Sequence, residues 1–406
     1  MIEKYIKKFK GFNLIINHSQ ETDEEVHLKN NSIDHLNSLD KEEFLITAYS
    51  KKGIGYLRSN FINESIIRKA IKLSKINADL KYFHGLPPNE RTQNQKFYDS
   101  RLLDLTIEDL HKISLQILKN RKENISEGLL SKEVVKRRVV NSEGLDKEDT
   151  KAYFSYSLDY VNKTTNFSDY GSYSYYPNLL SEIKKNENSL KFYSQRKIKA
   201  NSKYVVFNLK TLNELMSHAF LDNFSYENIE KNQSLFNFKT KYRFKTKFDL
   251  INDGSLKKGY LSSNFDFEGV RKTRSYLVKN GQVNSFFFNY NAAKHYGFKP
   301  AGNAYYSSVM PNDLIIKSKK FEPENYILIE EITGAHTANS MTSEFSILVN
   351  KARLVSKNGE KPLKPFMINS SMVKLFNNLL GSFGKENMDL NLISKNQVFS
   401  GINLIY

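Results

Sequence analysis

Apolar residues recur at helical spacing in three stretches of the chain, and each stretch opens on a residue that can cap a helix. Asn63 precedes the first stretch, the box Thr106-x-x-Asp109 precedes the second, and Thr211–Asp222 forms the third. Residues at i, i+3, i+4 and i+7 share one face of an α-helix. The pattern therefore predicts three amphipathic helices, each with a polar N-terminal cap.

Runs that alternate between apolar and polar residues predict β-strands around these helices. Asn280-Gly281 separates the last two runs, and this dipeptide favours a type I′ hairpin because both residues tolerate positive φ. The predicted strands are Phe12–Ile16, Glu25–Leu36, Phe44–Tyr49, Glu133–Asn141, Lys151–Tyr160, Lys191–Ile198, Lys272–Val278 and Gln282–Asn289.

The order of these elements predicts an α+β fold in three parts. A small N-terminal α/β layer covers residues 1–95 and ends in the polar, proline-bearing connector Gly85–Asn94. A middle α+β domain covers residues 96–197 and includes the tight polar turn Asn141–Leu145, which we interpret as structural. A large β-rich domain covers residues 198–406 and carries the central helix.

The composition is that of a folded protein without disulfides. The 406 residues are 39% hydrophobic and 26% charged, enough apolar sequence for a substantial core. No run approaches the ~18 apolar residues of a membrane span, and no signal-peptide segment follows the basic start, so we expect a cytoplasmic protein. The chain has no cysteine, which excludes thiolate catalysis and cysteine ligands to a metal.

The net charge of +17 raises the possibility of a polyanionic partner. The lysines are spread along the chain, and the tightest clusters, Lys136–Arg138 and Lys239–Lys247, are typical of strands with one solvated basic face. No nucleic-acid recognition motif accompanies the charge. A basic nucleic-acid-binding protein is therefore an alternative that the sequence does not favour.

The stretch Thr211–Asp222 combines its apolar stripe with a stripe of ionisable side chains. Thr211 and Glu214 have the spacing of a capping box. At about 100° per residue, Glu214, His218 and Asp222 fall on one helix face. An imidazole flanked by two acids could hold a divalent metal or carry acid–base chemistry. A capping glutamate and a solvated histidine explain the same residues without any site.

The segment Asn213–His218, which reads N-E-L-M-S-H, resembles the H-E-x-x-x-H helix of the TldD/PmbA family of metalloproteases, with Asn213 in place of the first histidine. That family contains two kinds of chain. TldD-like chains carry both histidines and a distant cysteine as zinc ligands, whereas PmbA-like (TldE-like) chains lack these ligands and serve as partners. This chain resembles the second kind.

Other segments resemble the family in the same order along essentially the whole chain. Ser343 stands where the family usually has glycine, so a different turn geometry is expected there. The resembling segments are the turn Asn141–Leu145, the segment Asp266–Val270 with its following hairpin, Gly302–Ala304, and the loop-to-strand Gly334–Ser346.

The resemblance implies no zinc in this chain and zinc in a TldD-like partner. A catalytic zinc needs about three protein ligands and an open position for water. Asn213 offers a neutral amide, a poor zinc ligand, and no cysteine supplies a third. The predicted function is therefore the metal-free subunit of a peptidase that acts on unfolded or short peptides, paired with a TldD-like chain or with itself.

One alternative is an autonomous peptidase in which Glu214, His218 and Asp222 hold the metal. His336 could join them if its loop folds over the helix. In either case Tyr305, His336 and Asn339 are weak candidates for lining the substrate cleft. An extended peptide could also add to a sheet edge through main-chain hydrogen bonds.

Overall fold

The computed structural model describes residues 2–51, 53–77, 80–90, 95–163 and 166–406. In these ranges the N-terminal half is built on a six-stranded antiparallel sheet with the order β3-β2-β1-β4-β5-β6. Its strands are β1 Asn13–Lys29, β2 Ser32–Tyr49, β3 Ile54–Ser59, β4 Asn124–Asn141, β5 Asp146–Val161 and β6 Asn166–Tyr173.

Two of the strand predictions for this sheet are wrong. The predicted strand Glu25–Leu36 contains the turn between β1 and β2, where Asn30 and Asn31 take φ of 49° and 65°. The predicted strand Lys191–Ile198 begins in a helix, because buried residues at helical spacing, Ile183 and Leu190 among them, place that segment on the sheet. Residues 91–94 of the predicted connector lie outside the described residues.

The N-terminal sheet is covered by helices whose caps follow from the sequence. Asn63 accepts from the Ile66 N–H at 3.0 Å, and Thr106 and Asp109 form the predicted capping box. Gly55 lets the helix capped by Asn63 approach the sheet closely, because a Cβ at position 55 would lie 2.2 Å from the Ala70 oxygen. The helices are α1 Glu3–Lys8, α2 Glu64–Ile76, α3 Arg101–Asp104, α4 Ile107–Asn120 and α5 Leu179–Tyr193.

Strands β1 and β4 pair along their length, from Ile15 with Asn141 to Lys29 with Glu127. One sheet therefore includes strands from both sides of the predicted boundary at residue 95. The turn Asn141–Leu145 joins β4 to β5, and the Asn141 side chain accepts from the Leu145 N–H at 3.0 Å. The division into domains stays a prediction, whereas the structural role of this turn is confirmed.

The C-terminal half forms a mixed sheet of eleven strands in the described residues, with β17 and β18 joined to its main path. Two parallel pairs, β7 with β14 and β13 with β19, lie at its centre. The strands are β7 Tyr204–Phe207, β8 Phe248–Asp253, β9 Arg274–Lys279, β10 Gln282–Val283, β13 Asp313–Ser318, β14 Tyr326–Thr333, β15 Glu344–Ser356, β16 Gly359–Pro362, β17 Phe366–Ser371, β18 Leu379–Asp389 and β19 Leu392–Ser400, while β11 Ala304–Tyr305 and β12 Ser308–Val309 form a separate ribbon.

Short helices and a phenylalanine-rich core fill one side of this sheet. Phe376 stacks on Phe220 and on Phe248 at centroid distances of 5.1 and 4.7 Å. The predicted Asn280-Gly281 hairpin is confirmed, with φ of 49° and 76°. The helices are α6 Leu209–Ala219, α7 Tyr226–Glu230, α8 Tyr290–His295 and α9 Met372–Asn377, with 3₁₀ turns at Leu221–Phe224 and Ala335–Thr337.

The predicted α+β class is confirmed by this mixture of two large sheets and peripheral helices. Among the described helices, none combines the length and the apolar content that crossing a bilayer requires.

Candidate functional site

Helix α6 begins three residues earlier than the predicted cap at Thr211 implies. Asn208 is its cap and accepts from the Thr211 N–H at 2.8 Å, so the predicted Thr211–Glu214 capping box is wrong. Thr211 is buried and its hydroxyl donates to the Asn208 oxygen at 3.1 Å. The predicted apolar stripe is confirmed, because Leu212, Leu215, Met216, Ala219 and Phe220 are all buried.

Asn213 is almost fully enclosed, with 4% of its surface exposed. Its Nδ2 donates to the main-chain oxygen of Asp389 at 3.4 Å and to Oδ1 of Asn391 at 3.2 Å. Its Oδ1 has no hydrogen-bond partner among the described residues, and neither has Oδ2 of Asp389. The amide is thus held against the β18–β19 turn, beside a second unpartnered acceptor.

Glu214 and His218 lie on the more open side of α6. Glu214 is half-buried, and burial raises its pKa while the nearby His218, Lys210 and His336 oppose that shift. His336 belongs to the 3₁₀ turn Ala335–Thr337, which packs on α6. The structure therefore brings His336 close to Glu214, as expected if its loop folds over the helix.

Asp222 does not extend the stripe of Glu214 and His218. The helix ends at Ala219, and Asp222 lies exposed in the following 3₁₀ turn. The change of helix type alters the angle per residue, so the predicted i, i+4, i+8 alignment is wrong.

The residues around α6 do not fit a zinc site. Zinc ligands must approach to about 2 Å of the metal, so their donor atoms lie close together. Over the described ranges, three acidic or histidine ligand atoms come within 4.8 Å of one another only at Glu21, Asp23 and Glu133. Position 213 supplies a neutral amide, which is a poor zinc ligand, in place of an imidazole.

Asn339 has a structural role in the loop that follows. Its Oδ1 accepts from the N–H groups of Met341 at 3.0 Å and Thr342 at 3.2 Å. Ser343 adopts a left-handed backbone with φ of 59°, a conformation that favours glycine. Its hydroxyl accepts from the Val373 N–H at 3.3 Å and fixes the turn to α9.

A large cavity lies elsewhere, between the N-terminal sheet and loops of the C-terminal half. It has a volume of ≈ 760 Å³, and Tyr305 lines it, whereas His336 and Asn339 are not among its described lining residues. The structure therefore separates Tyr305 from the other two predicted cleft residues.

One face of the N-terminal sheet forms the floor of this cavity. Because side chains alternate along a strand, residues paired across neighbouring strands share that face. Three rows cross β2, β1, β4 and β5 in this order: Glu43, Ser19, Arg137, Asp149; then Lys41, Glu21, Val135, Lys151; then Leu39, Asp23, Glu133, Tyr153.

The C-terminal loops that cover the sheet face form the roof of the cavity, and Asp266 joins two of them. Its carboxylate accepts from the N–H groups of Glu268 at 2.9 Å, Val270 at 2.9 Å and Ala304 at 3.0 Å. Two segments that resemble the family, Asp266–Val270 and Gly302–Ala304, are thereby joined. Burial raises the pKa of Asp266, and these three donors oppose the shift.

Three cations line one end of the cavity, Arg137 and Lys151 on its floor and Lys272 on the side of the C-terminal loops. Burial lowers the pKa of Arg137, that of Lys151 to about 7 and that of Lys272 to about 8. None of the three forms an ion pair with a described residue. Asp149 also lines this end, but its oxygens accept from the main-chain and side-chain nitrogens of Asn264 at 2.8 and 3.0 Å.

The opposite end of the floor is acidic. Glu21, Asp23 and Glu133 bring their oxygens within 4.8 Å of one another, and Lys41 bridges the first two at 2.6 and 2.7 Å. Burial, with the charges of Glu21 and Asp23, raises the pKa of Glu133 to about 7. Sequence reasoning missed this cavity, although the charged residues Glu133 and Arg137 on one face of β4, and Asp149 and Lys151 on the same face of β5, were a signal that this sheet face is not an ordinary core.

Comparison with known proteins places the chain among metallopeptidase relatives. The family model of the PmbA/TldA metallopeptidase C-terminal domain matches residues 201–397. An uncharacterized protein of Methanocaldococcus jannaschii is 28% identical over 377 residues, which cover 86% of each chain.

Two solved structures share the fold over nearly their whole length. TldE from Thermococcus kodakarensis has a TM-score of 0.84 and 18% identity, covering 99% of this chain and 98% of its own. A protein of Thermotoga maritima, solved as a candidate modulator of DNA gyrase, has a TM-score of 0.84 and 18% identity, covering 100% and 99%.

Proposed function

Since this chain belongs to the TldD/PmbA family through its C-terminal domain, we propose that it is the metal-free, TldE-like subunit of a zinc peptidase. In this proposal a TldD-like chain holds the zinc and cleaves the peptide bond. The observation that carries the proposal is Asn213, a buried amide on the helix where a TldD-like chain is expected to place its first histidine.

The chemistry of α6 supports a role in binding rather than in bond cleavage. In metal-dependent peptidases, zinc activates water and polarises the carbonyl group, while a carboxylate accepts the proton. Glu214 could accept a proton, but it has no neighbouring set of zinc ligands to provide the activated water. Glu214 and His218 are therefore proposed to contact substrate or partner, with the reaction carried out on the TldD-like chain.

The proposed substrates are unfolded or short peptides. Such peptides present free main-chain groups that can pair with an exposed sheet edge, largely independent of sequence. Strands β3 and β6 end the N-terminal sheet, and β10 and β16 end the C-terminal one, in the described residues. We propose that the complex acts in the cytoplasm and that the TldD-like chain is preferred over a second copy of this chain as partner.

Reconstitution tests this proposal. The chain is mixed with a TldD-like chain from the same genome, and size-exclusion chromatography and cleavage of an unfolded peptide are followed. We expect co-elution and cleavage by the mixture, and no cleavage by this chain alone.

Two histidine variants distinguish this proposal from an autonomous zinc peptidase. If the isolated chain cleaves peptide with bound zinc, and His218→Ala removes both while the control His111→Ala on α4 removes neither, the chain is an autonomous peptidase. Failure of the two chains to co-elute or to cleave together also contradicts the proposal.

A further inference from the structure

The cations of the large cavity have donors that the protein does not use. The ammonium group of Lys272 donates to the Leu261 oxygen at 2.7 Å, which occupies one of its three hydrogens. Nη2 of Arg137 donates to the Phe265 oxygen at 2.6 Å, while its buried Nε has no partner among the described residues. Unpaired buried donors are costly, so this end of the cavity favours an anion.

Lys151 adds positive charge but has no free donor. Its ammonium group donates to the oxygens of Phe97 at 3.2 Å, Gly259 at 3.2 Å and Ser262 at 2.8 Å, which uses all three hydrogens. It therefore braces the roof and adds to the local positive charge, while the ammonium group of Lys272 and Nη1 of Arg137 remain available for direct contact.

The carboxylates near these cations are already engaged by neutral donors. Asp149 accepts from Asn264, and Asp266 accepts from three main-chain N–H groups. Asp313 accepts from the Ser262 hydroxyl at 2.5 Å and the Leu261 N–H at 3.0 Å. These acids offset the cationic charge at a distance without closing ion pairs with it.

Glu133 is the corresponding unpaired group at the acidic end. It makes no ion pair and no side-chain hydrogen bond with a described residue, whereas Lys41 bridges Glu21 and Asp23. Three carboxylates around a single lysine leave excess negative charge, which suits a second ammonium group.

The spacing of the two ends sets the size of the ligand. Glu133 and Arg137 lie four residues apart on the same face of β4, and a strand rises about 3.3 Å per residue, so the two positions are about 13 Å apart. An extended peptide spans at most about 3.3–3.6 Å per residue, so a ligand of about four residues bridges them.

From these observations we propose that the cavity binds a free peptide of about three to four residues. Its C-terminal carboxylate contacts Arg137 and Lys272, and its N-terminal ammonium group contacts Glu133. That the ligand is a peptide, either a substrate or a product, rests on the proposed function. The inference adds the length of the peptide and the residues that contact its two ends. The aromatic rings of Phe267, Tyr305 and Tyr306 line the cavity and can contact the peptide side chains without selecting a sequence.

The test uses the isolated chain at pH 7 and calorimetric titration with tetra-alanine in four forms: free, amidated at the C-terminus, acetylated at the N-terminus, and blocked at both ends. We expect each single block to weaken binding at least tenfold, because each removes one charge-assisted contact. Di-alanine and deca-alanine are expected to bind more weakly than tetra-alanine.

Two variants assign the ends of the peptide. In Lys272→Met the free peptide is expected to bind more weakly than to the wild type, and amidation should cause a smaller further loss than it does in the wild type, because only the contact with Arg137 remains. In Glu133→Gln acetylation should cause no further loss. The matched controls Lys257→Met and Glu127→Gln change exposed residues outside the cavity lining and should leave all four affinities unchanged.

The proposal is overturned if free and blocked peptides bind equally, if deca-alanine binds as tightly as tetra-alanine, or if the cavity variants behave like the controls. A divalent cation that binds at Glu133 while free tetra-alanine does not bind would also overturn it. These outcomes are distinct from failure of the proposed function, because this assay needs neither zinc nor a TldD-like chain. Circular dichroism and unfolding curves confirm that each variant is folded.

Discussion

The side chain of Asn213 donates through Nδ2 to Oδ1 of Asn391, 3.2 Å away. Asn391 in turn donates through its own Nδ2 to the Asn312 oxygen at 3.3 Å, beside the start of β13. The amide at position 213 thus links the central helix to the β18–β19 turn and to the sheet. This contact gives Asn213 a structural role that a zinc-ligating histidine could not fill in the same way.

Replacing Asn213 by alanine should lower the stability of the protein. The change removes both hydrogen bonds of Nδ2 and leaves the partly buried Asn391 oxygen without its donor, which costs about 1–3 kcal/mol of the free energy of unfolding. Urea unfolding measures the loss. Ser217→Ala, on the exposed side of the same helix, should stay within about 0.5 kcal/mol of the wild type.

Replacing Asn213 by histidine should not create a zinc enzyme. The variant restores the spacing of two histidines, but the chain has no cysteine to supply a third ligand. The larger imidazole also enters a site that is 4% exposed, and overpacking of this kind costs about 1–3 kcal/mol. Metal analysis after dialysis should find substoichiometric zinc. One tightly bound zinc per chain would contradict the account of this helix.

Asp266 should be essential for the roof of the cavity. In Asp266→Asn an NH₂ group replaces one of the two oxygens that accept the three main-chain N–H groups. At least one of these N–H groups then faces another donor. We expect a loss of about 3 kcal/mol in the free energy of unfolding, on the scale of a hydrogen bond to a charged group. The exposed variant Asp104→Asn on α3 is the control. Equal stability of the two variants would show that the roof does not depend on Asp266.

Because of Glu268, the free energy of unfolding should fall as the pH rises. It is buried and accepts from the Tyr49 hydroxyl at 3.0 Å and the Tyr290 N–H at 2.7 Å. Burial and the charge of Asp266 raise the pKa of Glu268 from 4.5 to about 7. Between these values the folded state holds a proton that the unfolded state has lost, so stability falls as pH rises.

The variant Glu268→Gln isolates this effect. Relative to the variant, the wild type should lose at most about 1.4 kcal/mol per pH unit between pH 4.5 and about 7. Parallel curves of unfolding free energy against pH for the two proteins would mean that Glu268 does not titrate as described.

Local sequence signals predicted the elements that depend on neighbouring residues. The caps at Asn63 and Thr106 and the turn at Asn280-Gly281 are examples, because their hydrogen bonds and backbone angles are set within four residues. The central helix was predicted with its apolar face correct. Its start was misplaced because Asn208, rather than Thr211, accepts the first free N–H group.

The large cavity could not be predicted in the same way. It depends on the pairing of β1 with β4, which brings Ser19 opposite Arg137, and on loops more than a hundred residues further along the chain. Alternation along a strand shows which side chains share a face, but it does not identify the neighbouring strand. The separation of Tyr305 from His336 follows from the same long-range topology.

The central claim, that this chain carries no catalytic zinc of its own, is tested most directly by elemental analysis and peptide cleavage on the same purified sample of the isolated chain. We expect less than stoichiometric zinc and no cleavage, with cleavage appearing only when a zinc-loaded TldD-like chain is added. One zinc per chain together with cleavage in the absence of that partner would contradict the claim.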